Sequence, residues 1–149
     1  MTKYPFHEFA EKVLSEIKET QNIILATCAD NRVTTRLVGH LLYGHTLVFS
    51  TNIDSLKVAQ IKRNPNVAFY LNGYNIEAVA KLYGHPQTHP TFEKDYAEKY
   101  PEYVSTYGYS PDDVLVTAEI KLIQSYSYNG TAGKNIIDFV TEKAYRSEI

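Results

Sequence analysis

Three turn signals, Asp30-Asn31, Gly44-His45 and Asn72-Gly73, separate β-prone runs in the first half of the chain. Asn22 to Ala29 (NIILATCA) is continuously apolar, as expected of a strand covered on both faces. Val33 to Leu42 alternates, placing Thr34, Arg36, Val38, His40 and Leu42 on one face and Val33, Thr35, Leu37, Gly39 and Leu41 on the other. Thr46 to Thr51 reads as a third strand, and Val67 to Leu71 with Ile76 to Tyr83 as a hairpin around Asn72-Gly73. Val114 to Ile123 alternates again, with Val114, Val116, Ala118, Ile120 and Leu122 facing inward, and makes a sixth strand. Six strands joined mostly by short turns predict a mainly β (α+β) domain, an antiparallel barrel closed or nearly closed, because closure removes exposed strand edges.

Helices flank this set. Phe6, Phe9, Ala10, Val13, Leu14 and Ile17 recur at three- and four-residue spacing, so an amphipathic helix is expected from about Pro5 to Glu19. A second helix, capped by Asp54 or Ser55, should run to about Arg63 and stop before Asn64-Pro65. A helical excursion is expected from Thr91 to about Lys99, with a further turn launched at Pro101. The segment Ser125 to Gly133 reads as a loop, and Asn135 to Lys143 as a last amphipathic helix. With 149 residues and no internal repeat, the chain reads as one domain, 1–149.

Charge narrows the function. The formal net charge of -2, with acids and bases interspersed, offers no positive field for nucleic acid. The first twenty residues carry acids and no unbroken apolar run, and no later segment approaches a membrane span, so neither a signal peptide nor a membrane is expected and the cytoplasm is the expected location. Cys28 is the one cysteine, read as core filler. His40, His45, His85 and His89 lack acidic or cysteine partners at metal spacing, so no metal is expected. His40 shares a face with Arg36 and reads either as a proton donor near a ligand or as a hydrogen-bonded histidine under a helix. Tyr96, Tyr100, Tyr103, Tyr107 and Tyr109 suit either a subunit contact or packing of the helical excursion onto the domain.

From Asp30 to Leu71, cations and hydroxyls recur where strands end or a helix begins. An arginine in mid-strand gains little unless its planar fork holds an anion. Lys57 in the first turn of a helix is mildly unfavourable there, by roughly 0.3 to 1 kcal/mol, unless an anion sits between it and the helix. Ser50 and Thr51 at a strand end can donate to the same anion. The spacing alone leaves two readings open, a phosphate site or a surface arginine and a solvated lysine.

The strand Arg36-Leu37-Val38-Gly39, the strand end Phe49-Ser50-Thr51, the run Ser55-Leu56-Lys57-Val58-Ala59-Gln60-Ile61 and the step Asn64-Pro65-Asn66-Val67 together resemble the flavin-binding split barrels. As a set they are similar to pyridoxamine 5'-phosphate oxidase and the general stress proteins related to it, over residues 5 to about 86. The resemblance implies a six-stranded antiparallel split β-barrel of Greek-key type and a homodimer with FMN in clefts at the subunit interface. It implies that Arg36 and Lys57 bind the FMN phosphate, aided by Ser50, Thr51 and Ser55. Backbone near Leu37 and Val38 would face the flavin ring, and Leu56 would give its amide. The chain departs from the oxidases at Val79, where they place a flavin-contacting glutamine. Its tail from Asn129 also lacks their tryptophan, arginine and histidine motif for the substrate phosphate.

The expected function is therefore that of an FMN flavoprotein moving hydride or electrons between a reduced nicotinamide and a small acceptor. The cofactor performs the redox step, so no catalytic side chain is assigned. The alternatives are a flavin sensor or store without turnover, and the same fold holding a deazaflavin or haem.

Overall fold

The apolar stripe that begins at Phe6 folds as α1 (Phe6–Glu19), with Pro5 at its N-cap and Ala10, Val13 and Ile17 buried against the sheet. The computed structural model describes residues 1–106 and 109–149, with residues 104–106 described by backbone alone, so Tyr107 lies outside the described residues. Before α1 comes a short strand, β1 (Thr2–Tyr4). After it follow β2 (Asn22–Ala29), β3 (Arg32–Gly39), β4 (Leu41–Tyr43), β5 (Thr46–Asn52), α2 (Leu56–Arg63), β6 (Asn66–Leu71) and β7 (Tyr74–Gly84). The excursion holds α3 (Phe92–Lys99) and α4 (Pro101–Thr106), and the chain ends in β8 (Asp113–Tyr128), β9 (Ala132–Asp138) and β10 (Lys143–Glu148).

Antiparallel ladders join β3 to β2, β2 to β6, β6 to β7, β7 to β8, β8 to β5 and β5 to β4. β3 gives way to β4 across a single residue, His40, and no ladder joins β3 to β5 among the described residues. The barrel is therefore split at His40 rather than closed. These are the six strands expected from sequence, with Val33 to Leu42 broken in two. The spatial order β5-β8-β7-β6, with β5 joined to β6 through α2, is a Greek-key arrangement.

The core fills the barrel and the space under α1, through Ile17, Ile23, Leu25, Leu47, Phe49, Phe69, Ile76, Val116 and Ile120. A second, smaller cluster lies on the outer wall of β4, β5 and β8, where Phe92 and Tyr96 of α3 cover Leu41, Val48 and Leu115. The tyrosine-rich segment thus packs Tyr96, Tyr100 and Tyr109 onto the domain, while Tyr103 is exposed.

The structure corrects four expectations. β2 is not covered on both faces: Ile23, Leu25, Thr27 and Ala29 are buried, while Asn22 and Ile24 are exposed. Cys28 lies on that outer face, half-buried, and not in the core. Leu122 does not point inward, because Ala78 pairs Ile120 and Glu77 pairs Leu122, leaving Lys121 as the extra residue of a bulge. Beyond the bulge the alternation reverses, and Ile123 takes the buried place. Finally, the loop and helix expected from Ser125 to Lys143 are strands. β8 continues to Tyr128, turns at Gly130 (φ 78°) and pairs with β9, which pairs with β10 and through it with β1. Asp138 Oδ1 accepts from the Val140 and Thr141 amides and turns the chain where the helix would have run.

Candidate functional site

Arg36 stands opposite Leu25 on the inner face of β3 and reaches toward the barrel end that α2 covers. Its Nη1 donates to Thr27 Oγ1 at 2.8 Å and more weakly to the Leu25 carbonyl at 3.4 Å, and its Nη2 donates to Thr34 Oγ1. A guanidinium has five N–H groups, so two remain for a ligand. Lys57, in the first turn of α2, donates from Nζ to Thr51 Oγ1 at 2.7 Å.

Neither cation is neutralised. Among the described residues no carboxylate lies in ion-pair contact with Arg36 or Lys57, whereas Arg63 pairs with Asp30 at 2.9 Å on the far side of α2. Burial lowers the pKa of Arg36. Burial, and then the nearby charge of Arg36, lowers that of Lys57. Two partly desolvated cations that repel each other gain from a shared anion, because each then recovers an opposite charge. The N-terminal end of α2 adds to the same positive potential, with Ser55 as its cap, accepting from the Val58 amide at 3.4 Å. This donor set fits a dianionic phosphate monoester.

The structure thus brings together Arg36, Thr51, Ser55 and Lys57 of the expected residues, with Leu56 beside them in α2. Ser50 falls on the opposite face of β5 from Thr51, the face that carries Val48. Val38 turns inward against the core, and Leu37 projects outward with 67% of its surface exposed.

Three site residues escaped the sequence reading: Thr27, Thr34 and Gln60. Thr27 and Gln60 are buried polar side chains, and Gln60 Oε1 accepts from Thr27 at 2.6 Å and from Thr34 at 2.7 Å. The signal was present, since Thr34 shares the face of Arg36 and Gln60 lies one helical turn after Lys57.

His40 adopts the second of its two expected roles. It is fully buried beneath the end of α1, where Nε2 donates to the Ile17 carbonyl at 2.8 Å. A carbonyl only accepts, so this is the Nε2–H tautomer, and Nδ1 is a buried acceptor without a partner among the described residues. Its pKa is held down at about 4, chiefly by burial, with the Ile17 hydrogen bond acting against the shift and the charge of Lys99 adding to it. Fully buried under α1, the imidazole reaches no cleft in which an iron could sit.

Helix α3 braces the split. Lys99 Nζ donates to the carbonyls of His40 at 2.7 Å and Lys18 at 3.1 Å, and burial brings its pKa down to about 8. Tyr100 Oη accepts from the His40 amide at 2.9 Å and donates to the Gln21 carbonyl. Both Tyr96 and Tyr100 press on Gly39, where a Cβ would lie 3.2 Å from each ring's outer atoms.

On the outer face, register aligns Leu37, Ile24 and Tyr70 in one row across β3, β2 and β6, with 67%, 38% and 47% of their surfaces exposed. Beside the row runs a groove of about 440 Å³ lined by Ala26, Cys28, Val33, Ala68 and Val79 among others. No described helix is long and apolar enough to cross a membrane.

The family model described as pyridoxamine 5'-phosphate oxidase matches residues 9–127. No curated protein matches the chain at a significant level. Among solved structures, ChuZ from Campylobacter jejuni superposes with a TM-score of 0.70 at 16% identity, over 93% of this chain and 62% of that one. General Stress Protein 26 from Bacillus anthracis does so with a TM-score of 0.60 at 18% identity, over 76% and 91%. HutZ, the haem storage protein of Vibrio cholerae, gives 0.61 at 12% identity, over 79% and 92%. At these identities the likeness concerns the fold.

Proposed function

The chain belongs to the pyridoxamine 5'-phosphate oxidase family, and from that premise we propose that it binds FMN and moves hydride or electrons between a reduced nicotinamide and a small acceptor. One observation carries the cofactor reading: Arg36 and Lys57 converge, half-buried and without a carboxylate, beside Thr51 and the start of α2. Arg36, Lys57 and Thr51 would hold the phosphate, Ser55 would fix the helix end that faces it, and backbone of Leu37 and Val38 would border the ring. When bound, FMN supplies hydride and electron transfer, and the protein's part is to orient the ring and limit access to it.

The acting form is a homodimer with the cofactor at the subunit interface. The exposed row Leu37, Ile24 and Tyr70 supports this, because a contiguous apolar strip crossing β3, the strand that bears Arg36, and its neighbours β2 and β6 is a costly surface to leave in water. Haem fits the site less well, since it carries no phosphate and His40, fully buried, opens onto no cleft.

The test begins with the visible spectrum of freshly purified protein, which separates flavin, deazaflavin and haem by their bands. Titration with FMN and with riboflavin follows, and equal affinity for the two would overturn the phosphate reading. Turnover is tested by supplying reduced nicotinamide and an acceptor. Tight FMN retention with no reoxidation beyond that of free cofactor would make the protein a flavin store or sensor.

A further inference from the structure

We infer that Gln60, which touches no ligand in the proposed site, is a positioning residue that sets the direction of the Arg36 guanidinium through Thr27 and Thr34. The inference rests on reading Arg36 as a phosphate ligand and concerns what prepares it for that task.

Each threonine hydroxyl has one proton to give and two lone pairs to offer. Gln60 Oε1 lies 2.6 Å from Thr27 Oγ1 and 2.7 Å from Thr34 Oγ1, so both protons go to it. The amide cannot be reversed, because Nε2 donates to the Arg32 carbonyl at 3.0 Å and an oxygen in its place would meet another oxygen. With both protons committed, the Thr27 and Thr34 oxygens, 3.2 Å apart, exchange no hydrogen bond. Each keeps a lone pair for Arg36, whose Nη1 and Nη2 donate to Thr27 and Thr34 respectively. Two anchors at one end of a planar fork fix both its position and its plane, and leave the remaining N–H groups aimed one way.

Removing the Gln60 oxygen breaks this arrangement at a distance. The threonine protons lose their acceptor, and the short gap between the two oxygens invites one hydroxyl to donate to the other. The hydroxyl that donates turns about its C–O bond, its lone pairs swing away from the Arg36 N–H they met, and the fork gains a second orientation. Gln60 is nearly fully buried, so water does not simply replace the lost oxygen. Burial in one connected network also explains an otherwise costly polar residue on the inward face of α2.

The test compares affinity for FMN with affinity for riboflavin, which lacks the phosphate. In the full-length protein, Gln60→Met should lower the FMN to riboflavin affinity ratio about tenfold while riboflavin affinity stays within twofold. Thr27→Val should lower the ratio likewise, and Thr27→Ser, which keeps the hydroxyl, should restore it. A general packing defect would lower both affinities together and leave the ratio alone, which would overturn the inference. An unchanged ratio in Gln60→Met and Thr27→Val, with wild type still favouring FMN, would also overturn it while leaving the phosphate site standing. If wild type itself shows no preference for FMN, the underlying reading of Arg36 fails first. Should Gln60→Met not fold, the Thr27→Val and Thr27→Ser pair decides the matter.

Discussion

Acidification should destabilise the fold through His40, in an amount that follows from its surroundings. The imidazole is fully buried, its one proton sits on Nε2 facing the Ile17 carbonyl, and Nδ1 has no partner among the described residues. Protonation would place an N–H and a charge where nothing accepts them, near the ammonium of Lys99. Its ordinary pKa is 6.5 and burial lowers it to about 4 in the folded chain. The folded value is depressed, so the stabilisation is complete above 6.5 and is lost as pH falls from there through about 4. At about 1.36 kcal/mol per pH unit, the full loss is about 3 kcal/mol, a large share of the roughly 5 to 15 kcal/mol that holds a domain together. The perturbation is His40→Gln, whose amide can donate to Ile17 in place of Nε2 and does not titrate. Urea unfolding followed by circular dichroism from pH 7.5 to 4.5 would give both stabilities. Wild type minus variant should fall by about 2.5 kcal/mol over that range. Lys99 and the carboxylates are common to both proteins and cancel in the difference. Parallel curves would refute the reasoning, since they would mean that His40 does not bind its proton differently on unfolding.

Three further outcomes are expected. Arg36→Ala and Lys57→Ala should each weaken FMN binding by roughly 2 to 3 kcal/mol, measured by flavin fluorescence titration; unchanged affinity in both would remove them from the site. FMN affinity should fall below about pH 6, as the phosphate loses its second charge. It should also fall on the alkaline side earlier than an exposed lysine would titrate, because burial and Arg36 lower the Lys57 pKa; a flat profile from pH 5 to 10 would count against the ion contacts. Gly39→Ala should cost about 1 kcal/mol, since the new methyl lies 3.2 Å from Tyr100 Cζ and Tyr96 Oη, and the cost should shrink in a Tyr100→Leu background.

Much of this protein is written in local sequence. The two-residue period of Val33 to Leu42 placed Thr34, Arg36 and Val38 on one face, and they share it. The turn residues set the hairpins, with Asn72 and Gly73 at φ 46° and 84°, and Ser55 caps the helix that carries Lys57. The cations were legible because a charge in mid-strand or at a helix start conflicts with local preference, and such conflicts mark sites. Ile136, Ile137, Phe139 and Val140 satisfied a helical spacing, yet the first two lie in a strand and the last two in the turn after it, because β8 runs past its bulge and offers Ile136 and Ile137 an edge to pair with. The same extended sheet decides that Ile123 and not Leu122 is buried, and that Ile24 and Cys28 face outward. Gln60 became intelligible only once α2 lay across the end of β2 and β3, bringing together residues that stand 33 and 26 positions apart in the chain. Periodicity fixes which side chains share a face; which element comes to cover that face depends on pairings between distant segments, and those exist only in the folded molecule.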